Sequence, residues 1–340
     1  MKQKSFCRRY LIAILMIFLG FAFHACGDKV KRGYITVIAD EDGYHYDYYI
    51  PSSYTAQKAY PMFVVLHGGT QTAEEMATMT QMNQLAETYQ FIVLYPEQST
   101  LSNAYRYWNW FLPTNQTREN GEPLIISDMM NTLMSKYRVD KTKIYAVGFS
   151  AGACMALHMA ILYPDIISGV AMASGLGYGV AMDGQQAYIA MNGTFPSVKT
   201  TAELAYENMP VEFRRPIKIL VVHGDEDTRV NLKNADYIIS QISYLNDLID
   251  DGIANDSFLG KTVDVENRIS EGQIPFSILR KLNQDDQLML LKIIVSGMPH
   301  RWSGGDVSNA YSFPDSIDIS TLIIRFMFGE DLFDSAEETD

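Results

Sequence analysis

A serine hydroxyl attacks a carbonyl only when a neutral imidazole takes its proton and a carboxylate behind that imidazole fixes its tautomer. Gly148-Phe149-Ser150-Ala151-Gly152 supplies a serine in a setting suited to that task, between the apolar run Ile144 to Val147 and a helical run that begins at Ala153. A strand that turns sharply into a helix through G-x-S-x-G is a nucleophile elbow. The serine takes a strained backbone, its hydroxyl stands clear of the sheet, and the glycines keep side chains from colliding with strand and helix. Ser150 is the candidate nucleophile. Three fixed positions in five also arise by chance, so the partners must be found independently.

In an elbow of this kind the acid and then the histidine follow the serine along the chain. His45 and His67 come too early, and His158 lies two helical turns past the elbow, directed away from a strand-end cleft. His300 sits in the loop Gly297 to Gly305, after the last strong apolar strand, Leu288 to Val295, and is the expected base. His223 ends the strand before it and runs into Gly224-Asp225-Glu226-Asp227, so that loop is expected to supply the acid. Asp225 and Asp227 stand two residues apart, and spacing does not choose between them. The oxyanion of a tetrahedral intermediate needs N–H donors already in place. Ala151 is expected to give one and the turn His67-Gly68-Gly69-Thr70 the other, with Gly69 and Thr70 as candidates. This chemistry needs neither a metal nor an organic cofactor.

These residues require a parallel sheet to hold them. Tyr34 to Ile38 and Tyr44 to Ile50 flank Asp40-Glu41-Asp42-Gly43, which predicts an antiparallel hairpin. Met62 to Leu66 is a strand buried on both faces, Thr72 to Tyr89 a helix with a Thr72/Glu75 capping box, and Phe91 to Tyr95 the next strand, which makes a parallel pair. The methionines at helical spacing in that helix read as core. Ser99 to Glu122 is an aperiodic loop carrying Tyr105, Tyr107, Trp108, Trp110 and Phe111, which either plugs a core edge or lines a cleft. Ser127 is expected to cap a helix to about Tyr137, and Lys143 to Val147 and Gly169 to Ser174 to form strands on either side of the helix Ala153 to Tyr163. Gly175 to Pro210 reads as loops and short helices over the site. A strand follows at Ile217 to Val222. Ala235 to Leu248 reads as a helix, Gly252 to Pro275 as irregular, and Thr321 to Phe328 as the closing helix.

The first 25 residues read as an export signal: Lys2, Lys4, Arg8 and Arg9 precede the apolar stretch Leu11 to Phe23, too short for a comfortable membrane span. Ala25 before Cys26 resembles a lipobox, which predicts a lipid anchor on Cys26, with simple secretion as the alternative. Cys154 is then the lone thiol of the body and reads as an inert buried side chain. With 27 basic and 40 acidic residues the net charge is −13, which repels phosphate backbones and argues against nucleic acid as a partner. At 340 residues, 47% of them hydrophobic, one α/β domain over residues 30–330 followed by an acidic tail at 331–340 is expected. The oligomeric state is not legible.

Taken together the chain resembles the poly(3-hydroxybutyrate) depolymerase family of esterases, which shares its catalytic module with the feruloyl and acetyl-xylan esterases of carbohydrate esterase family 1. The resemblance is carried by six blocks in the family's order. They are Leu66-His67-Gly68-Gly69-Thr70-Gln71-Thr72, Tyr95-Pro96-Glu97-Gln98, Trp108-Asn109-Trp110-Phe111, the Ser150 elbow, His223 to Val230, and His300-Arg301-Trp302-Ser303-Gly304-Gly305. It implies an α/β-hydrolase fold, a mostly parallel central sheet with antiparallel N-terminal strands and helices on both faces. The family's H-G-x-x-D-x-x-V pattern selects Asp227 as the acid, since Val230 follows it by three residues. It also turns the aromatic loop toward the cleft, so that Trp108 and Trp110, with Trp302 of the last block, become candidate substrate contacts. Two departures stand out. Gly69 and Tyr107 replace a pair of cysteines common in the family, and the segment between Asp227 and His300 is longer than usual.

The expected function is that of an exported serine esterase working through an acyl-enzyme, with an ester substrate and, through Cys26, a membrane as its partners. No polymer-binding module is read after the catalytic region, which favours feruloyl or acetyl esters of polysaccharides over the polyester polyhydroxybutyrate. A surface carbohydrate-binding lipoprotein that keeps a hydrolase scaffold without turnover is the alternative from another class.

Overall fold

The computed structural model describes residues 31–37 and 43–333. Contacts divide the chain into a unit of residues 1–31 and one of residues 32–340, and the fold is that of the second. The expected export signal, Cys26, the hairpin residues 38–42 and the tail beyond 333 lie outside the described residues.

β-branched and aromatic residues build the opening hairpin: β1 (Gly33–Val37) pairs antiparallel with β2 (His45–Ile50). β3 (Tyr60–Leu66) leads through α1 (Ala73–Thr80) and α2 (Met82–Tyr89) to β4 (Ile92–Glu97), which lies parallel to it. The Thr72/Glu75 capping box is formed in both directions. A single helix from Thr72 to Tyr89 is not. Gln81 takes a left-handed backbone at φ 54° and its N–H closes on Ala77 O, so the chain stops and starts again.

α3 (Gly121–Lys136) starts seven residues earlier than a cap at Ser127 implies, with Asn120 in the cap position. Its first-turn N–H at Glu122 is satisfied from outside the helix, by Asn115 Oδ1 at 2.8 Å, so no cap within the segment is needed. β5 (Val139–Phe149), α4 (Ala151–Leu162) and β6 (Gly169–Ala173) form the central unit. α5 (Gly184–Met191) and α6 (Val198–Asn208) then precede β7 (Ile219–Gly224) and α7 (Lys233–Asp251).

The stretch 252–275 is not irregular. β8 (Leu259–Ile269) and β9 (Pro275–Asn283) form an antiparallel hairpin that extends the sheet beyond β10 (Leu288–Val295). β8 is an edge strand with Val265 and Ile269 facing solvent, so it lacks the apolar run that marks the buried strands. The short strands β11 (Trp302–Ser303) and β12 (Ser312–Phe313) and the helix α8 (Ile319–Phe328) complete the chain.

The ten strands run β1-β2-β4-β3-β5-β6-β7-β10-β9-β8, with β4, β3, β5, β6, β7 and β10 parallel and a hairpin added at each side. On one face Ile126, Met130, Leu157, Ile161, Ile238 and Ile242 pack from α3, α4 and α7; on the other Met76, Met79, Met82, Ile323 and Phe326 pack from α1, α2 and α8. The methionine stripe is core, as its spacing predicts. Because the six parallel strands end at one rim, the loops after β3, β5, β7 and β10 gather there.

Candidate active site

The elbow is made by close approach. A Cβ on Gly148 would stand 2.2 Å from Gly152 O, and one on Gly152 would stand 2.2 Å from Leu66 O. Only glycine lets β5, α4 and β3 come this near. Ser150 between them holds φ 54° and ψ −120°, with its N–H on Ala173 O at 2.8 Å, so the strained backbone is anchored to the neighbouring strand.

Its hydroxyl meets His300 Nε2 at 2.9 Å, and His300 Nδ1 meets Asp227 Oδ2 at 2.7 Å. Asp227 Oδ1 accepts the N–H groups of Arg229 and Val230, both at 2.9 Å, and His223 Nε2 lies 3.4 Å from Oδ2. Burial acts to raise this carboxyl, but hydrogen bonds from His223, His300 and Val230 outweigh it and hold the group well below the ordinary carboxylate range. It is a carboxylate throughout the neutral range. Since it accepts at Oδ2, the His300 proton sits on Nδ1 and Nε2 is left to take one from Ser150. His223 shares its Nε2–H between Val230 O at 2.8 Å and Asp227 Oδ2 at 3.4 Å and so supports the acid loop. Asp225 instead accepts Gly297 N–H at 2.7 Å, tying the β7 and β10 loops together.

The turn after β3 is set by a buried network. Gln98 N–H donates to His67 Nε2 at 3.0 Å, which places the His67 proton on Nδ1, and that atom is 2.7 Å from Gly68 O. The Gln98 amide reaches Tyr107 O and Glu122 Oε1, and Glu122 also accepts from the Asn109 backbone and side chain. Burial pushes the Glu122 carboxyl up to about 7 against these three donors. Of the two candidates in the turn, Thr70 is excluded as a donor to an oxyanion because its N–H is committed to Tyr105 O at 2.7 Å. Among the described residues no acceptor takes the N–H of Gly69 or of Ala151. The pair that stands where cysteines are common is in contact: a Cβ on Gly69 would fall 2.2 Å from the Tyr107 ring, so an aromatic face rests on the turn in place of a cross-link.

The three tryptophans do not line the cleft. Trp108 is wholly buried with its indole N–H on His67 O at 3.1 Å, Trp110 is buried against the ring of Phe111, and Trp302 is buried with its N–H on Ser320 Oγ at 3.0 Å. Each indole N–H that finds a protein acceptor draws its ring inward. The space beside Ser150 is about 40 Å³ and is walled instead by Gly69, Tyr107, Phe149, Met191, Arg229, His300 and Tyr311. Met191 comes from α5, in the segment expected to cover the site. Arg229 and Tyr311 carry no pattern that singles them out. The Thr70 hydroxyl, 3.5 Å from the Tyr311 phenol, draws the phenol's pKa down; burial opposes this and Arg229 adds to it.

Cys154 is buried on α4, its sulfur accepting Leu176 N–H at 3.3 Å, and burial pushes the thiol up to about 12, so it is inert at neutral pH. Among the described residues no three His, Cys, Asp or Glu side chains cluster so as to hold a metal ion.

Two buried histidines tie the site's stability to pH. Burial lowers both His67 and His158 from 6.5 to about 4, so each stabilises the fold above pH 6.5 and loses that contribution as pH falls toward 4. Glu122, raised to about 7, acts oppositely, its contribution being full below 4.5 and lost as pH rises. Two protons taken up on unfolding against one released leave a net of one, so stability should fall by about 1 kcal/mol from pH 6 to pH 5. Urea titrations at the two pH values measure it. His158→Gln should remove most of that difference, and an undiminished slope would show that His158 is not the group responsible.

The family model described as Esterase PHB depolymerase matches residues 44–264, a span that includes Ser150 and Asp227 and stops short of His300. The chain is 32% identical over 196 residues to poly(3-hydroxyalkanoate) depolymerase C of Paucimonas lemoignei, covering 57% of this chain and 47% of that one. It is 31% identical over 191 residues to feruloyl esterase B of Thermothelomyces thermophilus, covering 54% and 64%. The matches thus span less than two thirds of either relative. An acetyl xylan esterase structure from Aspergillus awamori superposes with a TM-score of 0.64 at 21% identity, over 79% of this chain and 94% of that one, and shares the α/β-hydrolase fold.

Proposed function

The chain belongs to the esterase PHB depolymerase family, and from that premise we propose that it is a serine carboxylic-ester hydrolase acting through an acyl-enzyme on short acyl esters of polysaccharides. The observation that carries this reading is the unbroken series Ser150 Oγ, His300, Asp227, at 2.9 and 2.7 Å. Ser150 Oγ attacks the ester carbonyl carbon while its proton passes to His300 Nε2. Asp227 keeps the imidazole oriented and stabilises the imidazolium. The carbonyl oxygen becomes an oxyanion that the N–H groups of Gly69 and Ala151 receive, an interaction whose loss typically costs about 3 kcal/mol of transition-state stabilisation. The C–O bond then breaks, the alcohol leaves with the proton from His300, and the acyl group stays on Ser150. Water adds to that acyl carbon with His300 again as base, the carboxylic acid departs, and the serine regains its proton.

What supports a small acyl group is the space beside the nucleophile. A space of about 40 Å³ favours an acetyl over a feruloyl group, since a water molecule alone takes some 10–15 Å³ on this measure. Nitrophenyl acetate should therefore be hydrolysed with kcat/KM at least about tenfold above that for nitrophenyl octanoate or methyl ferulate, the scale of discrimination a tight apolar pocket gives. Acetylated xylan should release acetate, and polyhydroxybutyrate granules should be poor substrates. Equal rates on acetate and ferulate would overturn the acetyl assignment, and a rate on granules that exceeds the acetyl esters would favour the polyester.

The same reading includes export, with residues 1–25 as a leader, Cys26 as the lipid anchor and residues 30–330 as one catalytic domain. What supports it is the basic and apolar order of the N-terminal residues and the Ala25-Cys26 pair.

A further inference from the structure

Arg229 sits at the wall of the catalytic space without a counterion. Its backbone N–H serves Asp227, yet among the described residues no carboxylate lies within ion-pair distance of its guanidinium, in a chain with 40 acidic and only 27 basic residues. It shares that wall with Ser150, His300 and Tyr311, its guanidinium carbon 5.8 Å from the centre of the Tyr311 ring. The Tyr311 hydroxyl in turn lies 3.5 Å from Thr70 Oγ1. One edge of the nucleophile's surroundings thus gathers a guanidinium and two hydroxyls. An ordinary solvated arginine explains its exposure but not its position. The planar fork of arginine matches a carboxylate in two parallel hydrogen bonds.

We propose that Arg229, with the Tyr311 hydroxyl beside it, is a carboxylate subsite, and that the preferred ester carries a carboxylate close to the scissile bond. The proposal rests on the esterase reading of Ser150, His300 and Asp227 and names the substrate class of that same site. Two sources supply this chemistry: an acylated uronic acid unit of a polysaccharide, and the free end of a short hydroxy-acid oligomer.

Two matched pairs of substrates separate them, an acetylated methyl uronoside against the acetylated neutral methyl glycoside, and a hydroxybutyrate dimer acid against its terminal amide. Wild-type protein should prefer the anionic member of at least one pair by about tenfold or more in kcat/KM, the scale of a charge-assisted hydrogen bond, with the preference falling as salt rises. Preference within the sugar pair alone identifies the uronic acid, within the dimer pair alone the oligomer end, and within both a general carboxylate site. In Arg229→Gln, checked for an unchanged thermal melt, the ratio should collapse to about one through a higher KM for the anionic member, and Arg229→Lys should restore part of it. A ratio near one in the wild type, while nitrophenyl acetate is still turned over, overturns the carboxylate subsite and leaves the esterase reading standing. A preference that survives Arg229→Gln also overturns it. No turnover of any ester removes the esterase reading, and the subsite with it.

Discussion

Ser150→Ala should lower kcat on nitrophenyl acetate by about six orders of magnitude, the loss seen when the nucleophile of such a relay is removed. The size of the effect follows from the 2.9 Å contact with His300 Nε2: without Oγ the imidazole has no proton to take and no acyl-enzyme forms. The fold should be untouched. Ser150 makes no side-chain cap to α4, and its backbone N–H remains on Ala173 O. Steady-state rates beside a thermal melt check both statements. A variant that keeps even one part in a hundred of the activity would mean that the hydrolysis measured arises elsewhere.

Asp227→Asn should cost about four orders of magnitude in kcat, because an amide facing Nδ1 permits the tautomer in which Nε2 is already protonated and cannot act as base. Asp225→Asn is the control. Its carboxylate holds Gly297 N–H across the two loops and does not reach His300, so its loss should change kcat by no more than about tenfold. Parallel kinetics on the two variants separate them, and the reverse order of effects would place the acid at 225. The contrast is sharp because Asp227 has four polar partners, the backbone N–H groups of Arg229 and Val230 and the rings of His300 and His223, whereas Asp225 receives one tie across the rim.

Much of this arrangement is legible before any coordinates, and the reason is periodicity and close packing. Val64, Val65 and Leu66, or Ala146 and Val147, belong to short apolar runs bounded by turn residues that fit a doubly buried parallel strand, and the glycines at 148 and 152 mark backbones that touch. Chain order then points to His300, because a relay of this type has few histidines to choose from. What is not legible is anything decided by direction. Trp108, Trp110 and Trp302 lie in the right blocks, yet an indole turns toward whichever acceptor is buried nearest, and His67 O and Ser320 Oγ turn two of them into the core. Thr70 is next to the right donor but spends its N–H on Tyr105 O, a partner from a loop with no repeat pattern.

Edges and caps are the other blind spots. β8 carries its apolar residues on an open edge, so its pattern is that of a loop, and α3 borrows its cap from Asn115, which no window around Ser127 reveals. Arg229 and Tyr311 belong to different loops and meet only because β7 and β10 are neighbours in the sheet. Glu122 closes the aperiodic aromatic stretch, and its role in fixing Gln98 and Asn109 under the Gly69 turn comes from tertiary contacts alone.

The most direct measurement is to incubate the intact protein with a fluorophosphonate and locate the adduct by peptide mass spectrometry. One adduct per chain on the peptide bearing Ser150, absent from Ser150→Ala and slowed in acid, is the result expected of a hydroxyl activated by its imidazole. An unlabelled native protein, or an adduct that persists on another residue after Ser150→Ala, would contradict it.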